Sequence, residues 1–154
     1  NLIVIQTFSK SFGLASARLG YVVSNYKNIN WINRVKPIYD INLFALEIGK
    51  YLLNNYNIIL DYIEDIKISK RKILQLLYDN NLKSINSKTN FIHIKLPSKK
   101  NPKNIYGSMK KYGVLIRIPG GGLPAALNHC VRLTLGPYQQ MEPIIKQLIK
   151  LIKE

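Results

Sequence analysis

Residues 7–21 read Thr7-Phe8-Ser9-Lys10-Ser11-Phe12-Gly13-Leu14-Ala15-Ser16-Ala17-Arg18-Leu19-Gly20-Tyr21. The preceding run Leu2-Ile3-Val4-Ile5-Gln6 is short and rich in β-branched residues, so it predicts a buried strand entering a loop. One lysine, Lys10, stands just beyond that strand among small hydroxyl residues. Burial and a neighbouring cation both disfavour an ammonium ion, which makes a lysine a nucleophile toward carbonyls. Thr7 and Ser9 offer hydroxyl donors to an anion, and Arg18 follows the lysine by eight residues with a planar fork that suits a phosphate. Gly13 and Gly20 let the chain turn tightly around a bound group. A nucleophilic lysine beside a phosphate cup is what an aldehyde-phosphate cofactor such as pyridoxal 5'-phosphate requires. The same residues also suit a solvated loop lysine and an ordinary surface ion pair at Arg18. On the residues alone both readings stand.

Outward from this segment the periodicity alternates between strand and helix. Gly20–Ser24 predicts a second strand, and Asn28–Val35 a short helix closed by Pro37. Asn42 opens a helical stretch that runs to about Asn55. Ile58–Asp79 repeats apolar residues at Ile59, Tyr62, Ile63, Ile66, Ile73, Leu74 and Leu77, the pattern of a long amphipathic helix, with a break expected near Ser69. After Asn80, the stretch Asn90–Leu96 alternates in the strand manner, with Ile92, Ile94 and Leu96 on one face and Phe91, His93 and Lys95 on the other. Pro102–Tyr112 predicts a helix ending at Gly113, Val114–Ile118 a strand, and Pro119–His129 a glycine-rich loop. Cys130–Leu135 predicts another strand before Gly136-Pro137 and a closing amphipathic helix to Glu154. The order β-β-α-α followed by β-α-β-β-α predicts an α/β or α+β arrangement.

Bulk properties narrow the class. With 154 residues, 47% hydrophobic and 20% charged, the composition is that of a globular protein with a core. No apolar run approaches the roughly 20 residues that span a bilayer. The N-terminus has no basic start and too short an apolar stretch for a signal peptide, and it lacks an initiator Met, so the natural polypeptide is expected to begin earlier. A single cysteine, Cys130, excludes an intramolecular disulfide and suits a reducing compartment, so a cytoplasmic location is expected. The formal net charge of +15 raises the question of nucleic acid or an anionic surface. The basic residues are dispersed, however, over Lys67/Lys70/Arg71/Lys72, Lys99/Lys100/Lys103, Lys110/Lys111 and Lys146/Lys150/Lys153, with no zinc-finger spacing, basic zipper or interleaved aromatics.

The segment around Lys10 resembles the cofactor-lysine motif of fold-type I pyridoxal-phosphate enzymes, specifically class I/II aminotransferases near histidinol-phosphate aminotransferase. There the pattern runs Ser-Lys, aromatic-Gly-Leu-Ala, small-small-Arg, then Gly-Tyr/Phe. The resemblance implies that Lys10 is the catalytic lysine holding the cofactor as a Schiff base. It makes Arg18 the arginine on the cofactor phosphate, and Thr7 and Ser9 the neighbouring hydroxyls. Ser16 departs from the pattern, since many relatives have glycine there. Lys36-Pro37-Ile38-Tyr39-Asp40-Ile41-Asn42 is similar to the family's lead into its small domain, and Asn90-Phe91 to its Asn-Phe strand. Gly113-Val114-Leu115-Ile116-Arg117 and Val131-Arg132-Leu133-Thr134-Leu135-Gly136 are similar to its two late arginine-bearing strands. This implies that Arg132 grips a substrate carboxylate and that Arg117 reaches a substrate phosphate. The implied fold is the α/β fold type I, with residues 1–56 the C-terminal portion of the cofactor-binding large domain and 57–154 the small C-terminal domain. The implied reaction is transamination between a small-molecule amino donor and a 2-oxo acid, by a homodimer when full length. The family's ring-stacking aromatic, ring-nitrogen Asp and ring-hydroxyl partners all precede its lysine strand.

Two other classes remain open at this stage, a decarboxylase or lyase of the same fold and a non-catalytic basic module. His93, His129 and Cys130 lack any usual metal-ligand spacing, so no metal is expected and Cys130 reads as a small buried hydrophobe. Gly120-Gly121-Gly122 lacks the Gly-Lys-Ser/Thr ending of a P-loop and is expected to be a flexible loop over the substrate pocket, joining the strands of Arg117 and Arg132.

Overall fold

The computed structural model describes residues 2–38, 40–85, 87–120, 124 and 127–154. The chain divides into two compact units, Asn1–Ile63 and Glu64–Glu154. That division falls inside a helix, whereas the sequence places the change ahead of the same helix.

In the first unit, β1 (Ile3–Thr7) pairs antiparallel with β2 (Gly20–Ser24), from Ile3 opposite Ser24 to Thr7 opposite Gly20. The ladder continues one step into the loop, where Phe8 N–H donates to Leu19 O at 3.0 Å. Helix α1 (Tyr26–Val35) begins two residues before the expected Asn28, because the side chain of Asn25 caps it by accepting from Asn28 N–H at 3.0 Å. Asn42 caps α2 (Leu43–Asn54) in the same way, accepting from Ala45 N–H at 2.8 Å. The expectation of a buried first strand is not met, since Leu2 and Ile5 are 72% and 74% exposed. A two-stranded ribbon has two open faces. Among the described residues of this unit only Phe8, Leu19, Ala45, Gly49 and Ile59 are buried.

Helix α3 (Asn57–Asp79) leads into the second unit. It is continuous through Ser69, where a break was expected, and Ser69 is fully buried. The sheet of this unit has the order β3 (Ser84–Ile85), β4 (Phe91–Lys95), β5 (Cys130–Thr134), all antiparallel. Ile92 pairs with Leu133 and Ile94 with Val131, so these four side chains share one face. Against that face pack Ile73 and Leu77 of α3, Ile105 and Met109 of α4 (Pro102–Lys111), and Met141, Ile145, Leu148, Ile149 and Ile152 of α5 (Tyr138–Lys153), forming one hydrophobic cluster.

The expected strand Val114–Ile118 is reduced to a single bridge, Arg117 opposite Arg132. Its beginning is consumed by the end of α4. Gly113, at φ +76°, donates to Lys110 O at 2.9 Å and Val114 to Met109 O at 3.0 Å, a Schellman closure that uses the N–H a ladder would need. Pro119 then offers no donor at the other end. Two-residue β3 was not foreseen. Among the described residues, no helix is long and apolar enough to cross a membrane.

Ser69 Oγ is buried without a hydrogen-bond partner among the described residues. An unpaired buried hydroxyl costs about 1–3 kcal/mol, and alanine is also the better helix former. Ser69→Ala is therefore expected to raise unfolding stability by about 1 kcal/mol. Urea denaturation checks this, and a loss of stability would show that the hydroxyl is satisfied.

Candidate active site

Each unit brings together one cluster of the residues singled out from the sequence. In the first unit, the Lys10 loop is closed by backbone bonds. Gly13 N–H, at φ +70°, donates to Lys10 O at 2.9 Å, and Leu14 N–H donates to Phe8 O at 3.0 Å. The Phe8 ring is the anchor, 3% exposed and 4.3 Å from the Phe12 ring, between centroids. Two glycines permit this packing. A Cβ on Gly20 would lie 2.8 Å from Gln6 O, and one on Gly49, in mid-helix, would collide with the Leu19 side chain. A glycine inside a helix costs about 1 kcal/mol against alanine. Here it gives α2 close access to Leu19, which is 7% exposed and holds the far end of the loop.

Thr7 Oγ1 donates to Ser9 Oγ at 2.9 Å and accepts from Ser9 N–H at 3.1 Å. The Thr7 hydroxyl hydrogen is thus used within the turn, and the Ser9 hydroxyl is the one left to donate outward. Arg18 adopts a left-handed backbone, φ 51° and ψ 39°, and its Nη1 donates to Ala15 O at 3.2 Å. That conformation is uncommon outside glycine and costs about 1 kcal/mol. Lys10 itself is exposed, so this loop alone does not supply the burial expected around it. No acid pairs with Lys10 or Arg18 among the described residues, and the first Asp or Glu of the chain is Asp40.

In the second unit, Arg117 and Arg132 are directly opposite. Arg117 N–H donates to Arg132 O at 2.9 Å and Arg132 N–H to Arg117 O at 2.6 Å. On the other side of Arg132 in the ladder stands His93. Cross-strand partners share a face, so His93, Arg132 and Arg117 form one row across the sheet, on the face opposite the core. With Pro119 and Gly120 they line a cavity of about 240 Å³. The Arg132 guanidinium lies 4.7 Å from the centre of the Phe91 ring, and its buried Nε has no hydrogen-bond partner among the described residues. Burial pushes the His93 imidazole below its ordinary pKa of 6.5, and the Arg132 charge adds to this. Pro119 and Gly120 belong to the glycine-rich loop expected over the pocket, but Gly121 and Gly122 lie outside the described residues. His93 was considered from sequence only as a metal ligand. Its place in the pocket depends on strand register, which an alternating pattern does not give.

These features define an α/β protein with an exposed loop lysine and two acid-free cation clusters, fitted to carbonyl and anion chemistry. The profile of the family described as "Aminotransferase class I and II" matches residues 1–148, and the chain belongs to that family. It is 31% identical over 148 residues to histidinol-phosphate aminotransferase 1 of Carboxydothermus hydrogenoformans, covering 96% of this chain and 41% of that protein. It is 34% identical over 154 residues to histidinol-phosphate aminotransferase 2 of Haemophilus influenzae (strain 86-028NP), covering 99% and 40%. Among solved structures, histidinol-phosphate aminotransferase from Sinorhizobium meliloti in complex with pyridoxal-5'-phosphate superposes with a TM-score of 0.84 at 26% identity, covering 99% of this chain and 41% of that one. The fold is therefore the α/β fold type I of that group. The chain spans about two fifths of the length of the curated relatives it matches.

The depressed His93 pKa has a thermodynamic consequence. A histidine that is harder to protonate when folded binds fewer protons in the native state than in the unfolded one, so its contribution is present above pH 6.5 and is lost as pH falls below it. Stability is expected to decline from pH 7 to pH 5, with part of the decline absent in His93→Gln. Denaturant midpoints across this range test it, and identical pH profiles for the two proteins would refute it.

Proposed function

We propose that these 154 residues supply the lysine end of a pyridoxal-phosphate-dependent aminotransferase of the histidinol-phosphate type. The reaction is transfer of an amino group between an amino acid or phosphorylated amine and a 2-oxo acid. The observation that carries this reading is the Lys10 turn, with the Ser9 hydroxyl held by Thr7 and the left-handed Arg18, in a chain matched by the family profile from residue 1 to 148. The relatives above 30% identity are histidinol-phosphate aminotransferases, which favours transamination over decarboxylation.

The donor set suits the cofactor. Lys10 is an amine with no acid partner among the described residues, in a turn fixed by bonds at Gly13 and Leu14. Ser9 Oγ and the Arg18 guanidinium are hydrogen donors with capacity left for phosphate oxygens. When bound, the cofactor supplies an electron sink that weakens bonds at the substrate's α-carbon. Lys10 would hold it through its amine and, as a free amine, would carry the proton from the substrate's α-carbon. Thr7 holds Ser9 in position, and Arg18 retains the phosphate. Arg132 orients a substrate carboxylate by a bidentate pair, with Arg117 beside it for a further anion. The reading includes the division into residues 1–56, the end of the large domain, and 57–154, the small domain. It also includes a cytoplasmic homodimer as the working form, which the family resemblance and the single cysteine favour.

In the polypeptide that carries this segment, borohydride reduction should leave the cofactor on the peptide containing Lys10, and Lys10→Ala should abolish turnover. Label on another lysine would end the assignment. Arg18→Ala should weaken cofactor retention by about tenfold to a hundredfold, since a charge-assisted bond is worth about 1.5–3 kcal/mol, with little change in substrate affinity. Cofactor dissociation followed by absorbance measures this, and unchanged retention would remove Arg18 from the phosphate.

A further inference from the structure

The row His93–Arg132–Arg117 sets like charges beside one another, an arrangement that costs stability in a sheet. Among the described residues of this unit, no acid stands beside the row to offset it. Residues 80–141 contain no Asp or Glu. The acids of this unit, Glu64, Asp65, Asp79, Glu142 and Glu154, all lie on α3 and α5 or at the end of α5, the helices that pack on the other face of the sheet. The next row on the cation side adds Lys95 and, opposite it, Cys130, with Lys83 alongside through the Lys95 N–H bond to Lys83 O at 2.8 Å. On the β3 side His93 faces Ile85. Its charged neighbours are therefore cations only. The unpaired, buried Nε of Arg132 is a donor awaiting an acceptor.

We propose that His93 is the third member of an anion site with Arg132 and Arg117 that accepts a substrate carboxylate and binds a doubly charged phosphate group more tightly, by holding a proton while the dianion is bound. The inference rests on the reading of the two arginines as the anion-gripping pair and adds a specificity residue to it. Without an anion, burial first and then the Arg132 charge disfavour a proton on His93. A dianion outweighs them, so the ring takes one proton from solvent on binding and becomes a donor at both nitrogens. A monoanion leaves the local charge positive and draws the proton less strongly. Burial helps, because it strengthens attraction and repulsion alike.

Sulfate and methanesulfonate serve as probes, being tetrahedral anions of fixed charge, two and one, across pH 5–8. Histidine ring shifts followed by NMR in the polypeptide that carries this segment report the His93 titration directly, with His129 as internal reference. Saturating sulfate is expected to raise the His93 midpoint by about one pH unit, equivalent to tenfold in affinity, and methanesulfonate by much less. His93→Gln should weaken sulfate binding about tenfold at pH 5 and little at pH 8. If sulfate binds but leaves the His93 midpoint unmoved, the proposal is overturned while the arginine pair stands. If Arg117→Gln and Arg132→Gln leave sulfate binding intact, the anion reading of the pair itself fails. The wild-type titration decides the matter even where a variant does not fold.

Discussion

In an antiparallel ladder each residue shares a face with the residues opposite it, and successive residues along a strand alternate. β4 lies between β3 and β5, so Ile92 and Ile94 reach the core only if Phe91, His93 and Lys95 turn the other way. A slip of one residue would drive His93 and Arg132 into the cluster around Ile145 and Leu148 and expose the isoleucines. The hydrophobic core therefore fixes the cation row. Once β5 is in register, the two bonds between Arg117 and Arg132 bring the second arginine alongside without a full strand.

The first unit is organised by closeness of approach instead of alternation. Its apolar strands are largely exposed, and Phe8, Leu19 and Gly49, among its few buried residues, meet at the mouth of the Lys10 loop. Gly20 meets the Gln6 carbonyl, Gly49 meets Leu19, and Phe8 closes the gap between them. Bulk at Gly20 would push on the Gln6–Thr7 backbone and bulk at Gly49 on the Leu19 side chain, and so on the two ends of the segment that carries Ser9, Lys10 and Arg18. The loop is thus held from its ends, which leaves the middle free to present donors.

Much of this was legible before any coordinates, for different reasons in different places. The helix start at Asn42, the helix from Pro102 with its glycine stop at Gly113 and the alternation of Phe91–Lys95 are local signals, and the corresponding elements are present. The Lys10 segment was legible because its residue types follow a family order, although the burial inferred around Lys10 was not found. The failures share a cause, which is competition from outside the window being read. Ser69 looked like a break, but it is fully buried on the stripe of α3 that Ile73 and Leu77 continue, and the helix runs through it. Val114–Ile118 had strand composition, but the Schellman closure of α4 had already claimed its first N–H. His93 went unrecognised because its partners are 24 and 39 residues away, at Arg117 and Arg132.

The excess positive charge separates into two kinds on the same grounds. Lys67, Lys146 and Lys150 sit on helix surfaces in i,i+3 or i,i+4 pairs with acids, exposed and readily screened. These are solvated faces, and a basic binding module would need such residues unpaired and aligned. Arg132 differs in every respect. It packs on Phe91, has a buried unpaired donor, and faces two further cationic or protonatable groups in a cavity with no acid. A fold tolerates that cost where a ligand removes it. The charge of +15 is therefore a weak guide to partners, and the small part of it fixed by strand register is the informative part.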